Sequence, residues 1–335
     1  MPDYRLLQGD MRTVLAATIR FKNDTPTRRR LMVPESFAHP AKGHLGMWAL
    51  MIERYSQPGE TILDPMAGSG ATLLAALMGR NVVCVELESH FVEPMRRSWE
   101  RMRQMPMLGC DLGEVHILQG DARALPLLSA DTILTSPPYG EAQSGGGINA
   151  ALHGKGDYHV TTNLPGSSYS PEEQSHGSEN IGNMRGAAYW DSETGIGKVY
   201  AECWRVLRPG GLMALVLKGY TRDGQYVDLP QQTEDLLLAA GWVKHDHWRR
   251  ELWSLSFWRI LQQRRDPAAF DERLKYEEVL VVRKPGEDEG GVTTILPSPP
   301  YESSLHGAQE GPGAHADPGA SREGRVKTMG SYTGR

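Results

Sequence analysis

The fold is decided by the stretch Thr61-Ile62-Leu63-Asp64-Pro65-Met66-Ala67-Gly68-Ser69-Gly70-Ala71-Thr72-Leu73-Leu74. It is typical of an apolar strand, a glycine-rich turn and the start of a helix, because glycine tolerates the positive φ of a tight turn. A second stretch, Thr132-Ile133-Leu134-Thr135-Ser136-Pro137-Pro138-Tyr139, is an apolar strand followed by a stiff proline-containing loop. Ligands of open α/β sheets bind beyond the carboxyl ends of the strands. We therefore expect the two loops to face one cleft.

Strand and helix patterns alternate around these stretches. Such alternation predicts an α/β fold with a doubly wound, mostly parallel, Rossmann-like sheet. A long Gly-, Ser-, Asn- and His-rich segment interrupts the alternation over 141–198, and a stretch this long without apolar periodicity is usually functional or disordered. The predicted strands are 61–64, 81–86, 115–118, 131–135, 212–217 and 278–282, and the predicted helices are 46–56, 71–79, 90–104, 197–207 and 229–240.

The composition is that of an ordinary globular protein, with 39% hydrophobic residues and a formal net charge of −5 at pH 7. No apolar run approaches the roughly 20 residues that span a bilayer, and the N-terminus lacks the apolar stretch of a secretory signal. The cysteines Cys84, Cys110 and Cys203 lie far apart, without metal-ligand spacing. We predict a cytoplasmic protein with reduced thiols, no metal site and no membrane partner.

Both motifs together resemble those of the S-adenosylmethionine-dependent DNA amino-methyltransferases, over roughly residues 30–285. That family transfers a methyl group to the exocyclic amino group of a DNA base, on a class I methyltransferase fold. Its glycine-rich motif has Phe where this chain has Met66, which keeps the position apolar. The serine form of the loop, with Ser136, favours cytosine N4, whereas an aspartate form favours adenine N6.

The resemblance divides the chain into four segments. Residues 1–140 form the N-terminal part of the methyltransferase domain, with both motifs, and 199–285 form its C-terminal part. Residues 141–198 are predicted to be a flexible insertion that contributes to target recognition. Residues 286–335 are predicted to be a disordered tail, because they are rich in Gly, Pro and Ser.

The cofactor half of the site centres on the glycine-rich turn. Glu86 ends the next predicted strand, twenty-two residues after Asp64, where a carboxylate can accept hydrogen bonds from both ribose hydroxyls. The blander alternatives are that Asp64 caps the following helix and that Glu86 is a solvated strand end. The resemblance adds Asp121 for the adenine amino group and the His39-Pro40 segment for the methionine end. The predicted cofactor-binding residues are His39, Pro40, Asp64, Pro65, Met66, Ala67, Gly68, Ser69, Gly70, Glu86 and Asp121.

The catalytic half is the loop Ser136-Pro137-Pro138-Tyr139. An exocyclic amino group is a poor nucleophile because its lone pair is delocalised into the ring. Ser136 Oγ and the Pro137 carbonyl are predicted to accept hydrogen bonds from its N–H groups, and the two prolines preorganise these acceptors. Tyr139 offers a ring for stacking. Methylation at cytosine C5 is disfavoured, because that chemistry needs a Pro-Cys nucleophile and no cysteine here follows a proline.

The predicted partner is double-stranded DNA, from which the family extrudes the target base. In residues 242–265, the tryptophans at 242, 248, 253 and 258 are separated by arginines. This pattern is typical either of contact with DNA phosphates or of core packing. We expect at least two of the tryptophans to lie in the core. A restriction endonuclease is a further partner to be tested. Solvated surface arginines are the alternative for the basic stripe Arg249, Arg250, Arg259, Arg264 and Arg265.

Three other functions stay open at this stage: an adenine-N6 DNA enzyme, an RNA or protein amino-methyltransferase, and a catalytically silent binding subunit. Ser136 argues against the RNA and protein enzymes, whose loops carry Asp or Asn. Retention of both motifs argues against a silent subunit. A second Ser-Pro-Pro-Tyr, at Ser298–Tyr301, is given no catalytic role.

Overall fold

The computed structural model describes residues 18–39, 42–105, 111–139, 180–184, 186–222, 225–252, 264 and 271–289. The chain divides into two units, residues 1–299 and 300–335. The second unit lies outside the described ranges, so the fold that follows is that of the first. The predicted tail from 286 is described only as far as 289.

Eight of the described strands form one sheet that is mostly parallel. The strands are β1 (Thr18–Arg20), β2 (Thr61–Asp64), β3 (Asn81–Glu86), β4 (Val115–Gln119), β5 (Ala130–Thr135), β6 (Leu207–Leu217), β9 (Val243–Glu251) and β10 (Tyr276–Arg283), with β7 (Tyr220–Arg222) and β8 (Gln225–Val227) forming a separate hairpin. The order is β1-β9-β10-β6-β5-β2-β3-β4. Only β10 pairs antiparallel with its neighbours in this sheet. The predicted doubly wound α/β fold is confirmed.

Helices pack on both faces of the sheet. They are α1 (Thr25–Leu31), α2 (Leu45–Tyr55), α3 (Leu74–Leu77), α4 (Ser89–Met102), α5 (Ala187–Trp190), α6 (Ile196–Val206) and α7 (Leu229–Ala239). Short 3₁₀ turns lie at Pro34–Ala38, Ala71–Leu73, Ile181–Asn183, Glu272–Lys275 and Glu287–Glu289. Among the described helices, none is long and apolar enough to cross a membrane.

The core lies in two clusters, one on each face of the sheet. The adjacent side chains of Ile62 and Leu63 belong to different clusters, as the alternation of side chains along a strand requires. Both are fully buried. Burial on both faces explains why the central strands are continuous apolar runs rather than alternating ones.

The structure differs from the sequence prediction at several elements. The helix predicted over 71–79 is a 3₁₀ turn followed by the short α3, and Gly79, with φ of 81°, lies just beyond its end. The strands β1 and β9 and the β7–β8 hairpin were not predicted. β9 in particular alternates weakly, because only Trp248 of its nine residues is buried. The expectation of two core tryptophans is confirmed by Trp242 and Trp248, each 3% exposed.

The segment 141–198, predicted to be a flexible insertion, contains regular structure in its last part. The residues 180–184 and 186–198 include a 3₁₀ turn, α5 and the start of α6. Ile181, Tyr189 and Ile196 from this part are buried in one core cluster. These apolar residues are separated by glycines and polar residues, so they produce no helical or strand period in the sequence. Residues 141–179 lie outside the described ranges.

Candidate active site

A pocket of about 880 Å³, including its open mouth, lies beyond the carboxyl ends of β2, β3 and β5. β2 has β3 on one side and β5 on the other; the chain continues from β2 to β3 in one direction along the sheet and from β5 to β6 in the opposite direction. Such a switch point is where open α/β sheets bind ligands. The pocket is lined by His39, Gly43, Trp48, Asp64, Pro65, Met66, Ala67, Gly68, Ser69, Ala71, Glu86, Leu87, Gly120, Asp121, Ala122, Arg123, Ser136, Pro137, Pro138, Tyr139, Asn180 and Ile181.

The glycine-rich turn brings bare backbone to the pocket at Gly68. Its φ of 52° lies in the left-handed region, and its N–H donates to Glu86 Oε2 at 2.7 Å. A Cβ built here would lie 2.8 Å from His39 Nε2, closer than side-chain atoms pack. The imidazole, the turn and the carboxylate therefore meet at this point, and only glycine leaves room beside them.

Glu86 ends β3 and is 7% exposed. Its Oε1 accepts a hydrogen bond from the Glu88 N–H at 2.9 Å. Burial raises the pKa of Glu86 to about 7, against the lowering effect of these backbone N–H donors, and the nearby Glu88 and Asp64 carboxylates add to the rise. Near neutral pH the group is therefore poised between its two protonation states. A buried carboxylate in this position can receive hydroxyl donors from a ligand.

Asp64 ends β2 beneath the turn and is 1% exposed. Its Oδ1 accepts from the Met66 N–H at 3.3 Å, and its Oδ2 accepts from the Thr72 hydroxyl. Burial raises the pKa of Asp64 to about 6. Both oxygens thus bond within the turn, so holding the turn in shape is a clear role of this side chain.

Asp121 lines the pocket in a fixed orientation. Arg123 donates hydrogen bonds to its carboxylate: Nε lies 3.0 Å from each oxygen, and a terminal guanidinium nitrogen lies 2.6 Å from Oδ2. The same guanidinium donates to the Thr194 carbonyl at 2.7 Å. Such a bidentate contact fixes the carboxylate plane. Sequence reasoning missed Arg123, although a basic residue two positions after the aspartate was a usable signal.

The Ser136–Tyr139 loop forms the facing wall. Ser136 Oγ donates to the Val216 carbonyl at 3.3 Å, which directs the hydroxyl hydrogen into the sheet and leaves the oxygen lone pairs available as acceptors. The Pro138 carbonyl accepts a hydrogen bond from the Tyr189 hydroxyl at 2.8 Å. The Ser136 and Tyr139 side chains are half-buried. The loop therefore presents oriented acceptors beside an aromatic ring.

The structure also brings in residues that sequence reasoning did not assign to the pocket. Asn180 Nδ2 donates to Glu88 Oε1 at 2.7 Å, and both side chains are buried. Asn180 belongs to the segment 141–198, which the sequence analysis linked only to target recognition. No local pattern could have linked it to Glu88, because the two lie 92 residues apart.

Of the predicted site residues, one does not line the pocket, one lies outside the described residues, and the others line the pocket. The one that does not is Gly70. Its φ is 79°, and a Cβ there would lie 2.7 Å from Met95 Cγ, so the absence of a side chain lets Met95 pack behind the turn. Pro40 lies outside the described residues. In the described part of the chain, no group of three metal-ligating side chains is present. The remaining predicted residues line the pocket: His39, Asp64, Pro65, Met66, Ala67, Gly68, Ser69, Glu86, Asp121, Ser136, Pro137, Pro138 and Tyr139.

The predicted basic stripe is partly engaged in the sheet. The Arg249 guanidinium lies over the Tyr276 ring, 5.2 Å from its centre, and Arg250 pairs with Glu277 at 3.1 Å. Arg264 is exposed. Arg249 and Arg250 thus have partners within the protein, which favours a structural role for this part of the stripe. Trp253, Trp258, Arg259 and Arg265 lie outside the described ranges.

Comparison with known families finds one match that bears on this site. The family model described as DNA methylase, of the N6/N4 methyltransferase type, matches residues 18–97. These residues contain the glycine-rich turn and Glu86. The match confirms the predicted resemblance to the amino-methyltransferases, a family whose cofactor is S-adenosylmethionine. No curated protein matches the sequence.

Solved structures with a similar chain trace are distant in sequence. TrmN from Thermus thermophilus is 17% identical, with a TM-score of 0.42, over 77% of this chain and 52% of that chain. This chain therefore spans about half the length of that protein. An S-adenosylmethionine-dependent methyltransferase from Methanosarcina mazei is 16% identical, with a TM-score of 0.40, over 71% of this chain and 98% of that one. TehB from Haemophilus influenzae is 12% identical, with a TM-score of 0.40, over 71% of this chain and 62% of that one. We base the fold assignment on the strand order.

Proposed function

We propose that this chain, whose residues 18–97 match the family model described as DNA methylase, methylates the exocyclic amino group of a base in double-stranded DNA, at cytosine N4. One observation carries the proposal. The Gly68 turn and the Ser136–Tyr139 loop line the same pocket, although Gly68 and Ser136 lie 68 residues apart in sequence. A cofactor site and a site for a planar amino substrate thus share one space, as direct transfer between them requires.

The pocket residues fit S-adenosylmethionine, which supplies a methyl group on a positively charged sulfur. Gly68 and Glu86 both line the pocket and are joined by the hydrogen bond from the Gly68 N–H, and Glu86 would accept the ribose hydroxyls. Asp121 would accept from the adenine amino group. The pocket also holds the acidic Asp64 beside Glu86, which suits the cationic groups of the cofactor. His39, against the turn, would cover the methionine end.

Ser136 and the Pro137 carbonyl would act on the substrate. By accepting a hydrogen bond from each N–H of the amino group, they favour a pyramidal nitrogen whose lone pair is free to attack the methyl carbon. The hydrogen bond from Ser136 to Val216 supports this assignment, because it keeps the hydroxyl lone pairs free. After transfer the nitrogen loses one proton, which leaves to solvent. Tyr139 would stack on the extruded base.

The test is methyl transfer from radiolabelled S-adenosylmethionine to DNA of varied sequence, followed by mass spectrometry of the nucleosides. We expect N4-methylcytosine. Detection of N6-methyladenine as the sole methylated base would overturn the base assignment but leave the mechanism standing. Methylated RNA or protein without methylated DNA would contradict the DNA proposal. Cofactor binding by calorimetry without transfer to any substrate would indicate a silent binding subunit.

The Ser136→Ala variant tests the role of the loop. We expect nearly complete loss of transfer with cofactor affinity unchanged, because Ser136 faces the substrate side of the pocket. Ser129→Ala is the matched control, since Ser129 is exposed and precedes the opposite end of the same strand, β5. Unchanged turnover in Ser136→Ala would remove the central claim. A restriction endonuclease partner stays a prediction.

A further inference from the structure

The residues 180–184 and 186–195, called here the pocket strap, return to the site after the segment 140–179. The strap contacts the pocket wall at three places. Asn180 donates to Glu88 beside Glu86. Tyr189 donates to the Pro138 carbonyl of the loop. The Thr194 carbonyl accepts from the arginine that grips Asp121.

Tyr189 makes the contact that reaches the catalytic loop directly. It lies in α5 and is 5% exposed. Its ring packs edge-to-face on Trp190, with centroids 5.0 Å apart and planes at 85°, which fixes the direction of the hydroxyl. The hydroxyl oxygen is 2.8 Å from the Pro138 carbonyl oxygen. Because that carbonyl belongs to the peptide joining Pro138 to Tyr139, the hydrogen bond holds the plane of the peptide that carries Tyr139.

Gly182 closes the same proline from another side. A Cβ built on Gly182 would lie 3.3 Å from Pro138 Cβ and 3.2 Å from Asn180 Oδ1, tighter than ordinary contact. A side chain at position 182 would press on the proline ring, so glycine lets the strap pass close to Pro138 without strain. Together with the fixed φ of proline, this close approach and the Tyr189 hydrogen bond restrict the position of the loop.

We propose that Tyr189 is a positioning residue of the methyl-transfer site. Its hydroxyl fixes the peptide between Pro138 and Tyr139, and through it the acceptors of the loop and the stacking ring. Tyr189 acts on the loop and not on the cofactor, because its hydrogen bond is to the loop alone among the contacts just described. The inference rests on the proposed function for its rate readout, and it predicts a structural change that does not depend on activity.

Tyr189→Phe removes only the hydroxyl and keeps the ring in the core. We expect the single-turnover rate of methyl transfer, at saturating cofactor and DNA, to fall by about three- to tenfold, the range that one hydrogen bond spans. Cofactor affinity and the DNA concentration for half-saturation should stay within about twofold. Tyr200→Phe is the matched control: Tyr200 is 1% exposed, and its hydroxyl interacts with the Thr233 hydroxyl, which does not belong to the Ser136–Tyr139 loop. Its rate should equal that of the wild type.

Two further measurements separate positioning from general destabilisation. Amide hydrogen exchange in the free protein should accelerate in the peptide covering 134–139 of Tyr189→Phe and stay unchanged in Tyr200→Phe. Gly182→Ala, which pushes on Pro138 from the other side, should lower the transfer rate in the same direction. A wild-type rate and unchanged exchange in Tyr189→Phe would overturn the inference. Equal losses of rate, cofactor affinity and melting temperature would also overturn it, as would equal effects in Tyr200→Phe. Absence of transfer by the wild-type protein would instead overturn the proposed function, and the exchange experiment would still decide the inference.

Discussion

Cofactor affinity should depend on pH through Glu86. Burial raises the pKa of this carboxyl to about 7, so it is half ionised near neutral pH. The ionised form accepts hydrogen bonds with both oxygens, whereas the protonated form must place one O–H donor near its neighbours. If Glu86 receives the ribose hydroxyls, the ionised form binds the cofactor better, and affinity rises with pH through about 7.

The size of the effect follows from the fraction ionised. With a pKa of about 7, roughly one tenth of the carboxyl is ionised at pH 6 and roughly nine tenths at pH 8. Affinity should therefore be about tenfold weaker at pH 6 than at pH 8. Stability of the free protein runs the other way. Because the pKa of Glu86 is raised above the ordinary glutamate value of 4.5, its contribution to the free energy of unfolding is fully present below pH 4.5 and is lost as pH rises through 7, about 3 kcal/mol in all.

Isothermal calorimetry with S-adenosylmethionine at pH 6, 7 and 8 measures the affinity, and denaturant unfolding of the free protein at the same pH values measures the stability. Glu86→Gln should bind about 1.5–3 kcal/mol more weakly at pH 8, the range for hydrogen bonds to a charged group, and should lose most of the pH dependence. Glu53→Gln, an exposed carboxyl on α2, is the control and should behave as wild type. Equal affinity at pH 6 and 8 in the wild type, or an unchanged pH profile in Glu86→Gln, would refute the ribose contact.

Three further changes test the site and its surroundings. Gly68→Ala should abolish measurable cofactor binding and lower the free energy of unfolding by about 1–3 kcal/mol, because the φ of Gly68 is 52° and the new Cβ would meet His39. Calorimetry measures the binding and denaturant curves measure the stability. Wild-type affinity in this variant would contradict the assignment of Gly68 to the cofactor site. Tyr139→Ala should reduce transfer strongly while leaving cofactor affinity intact, and parallel losses of both would show that the ring supports the pocket instead. Truncation after Pro285 should leave folding and cofactor binding intact, since β10 ends at Arg283. Among the described contacts, the truncation removes only the ion pair between Arg283 and Glu289. Insoluble protein would show that residues beyond 285 pack on the domain.

The sequence by itself determined the features that are encoded locally. The central strands are legible because burial on both faces makes them continuous apolar runs. The turn at Gly68 could be predicted from the sequence because glycine, without a Cβ, readily adopts the positive φ found there after the strand end. The position of the two loops followed from these elements, since carboxyl ends of parallel strands share one edge of the sheet. The residues Asp64–Ser69, Glu86 and Ser136–Tyr139 were predicted in this way and line the pocket, whereas His39 and Asp121 were predicted from the family resemblance.

Only the tertiary structure decided which distant residues complete the pocket. Asn180 reaches Glu88 across 92 residues, and Tyr189 reaches Pro138 across 51. Such contacts carry no period or motif, because they depend on where the chain returns after the sheet has formed. The same holds for Gly70, whose positive φ was legible while its packing against Met95 was not. Local patterns fix backbone conformation, but the partner of a side chain is set by the position of segments that are remote in sequence.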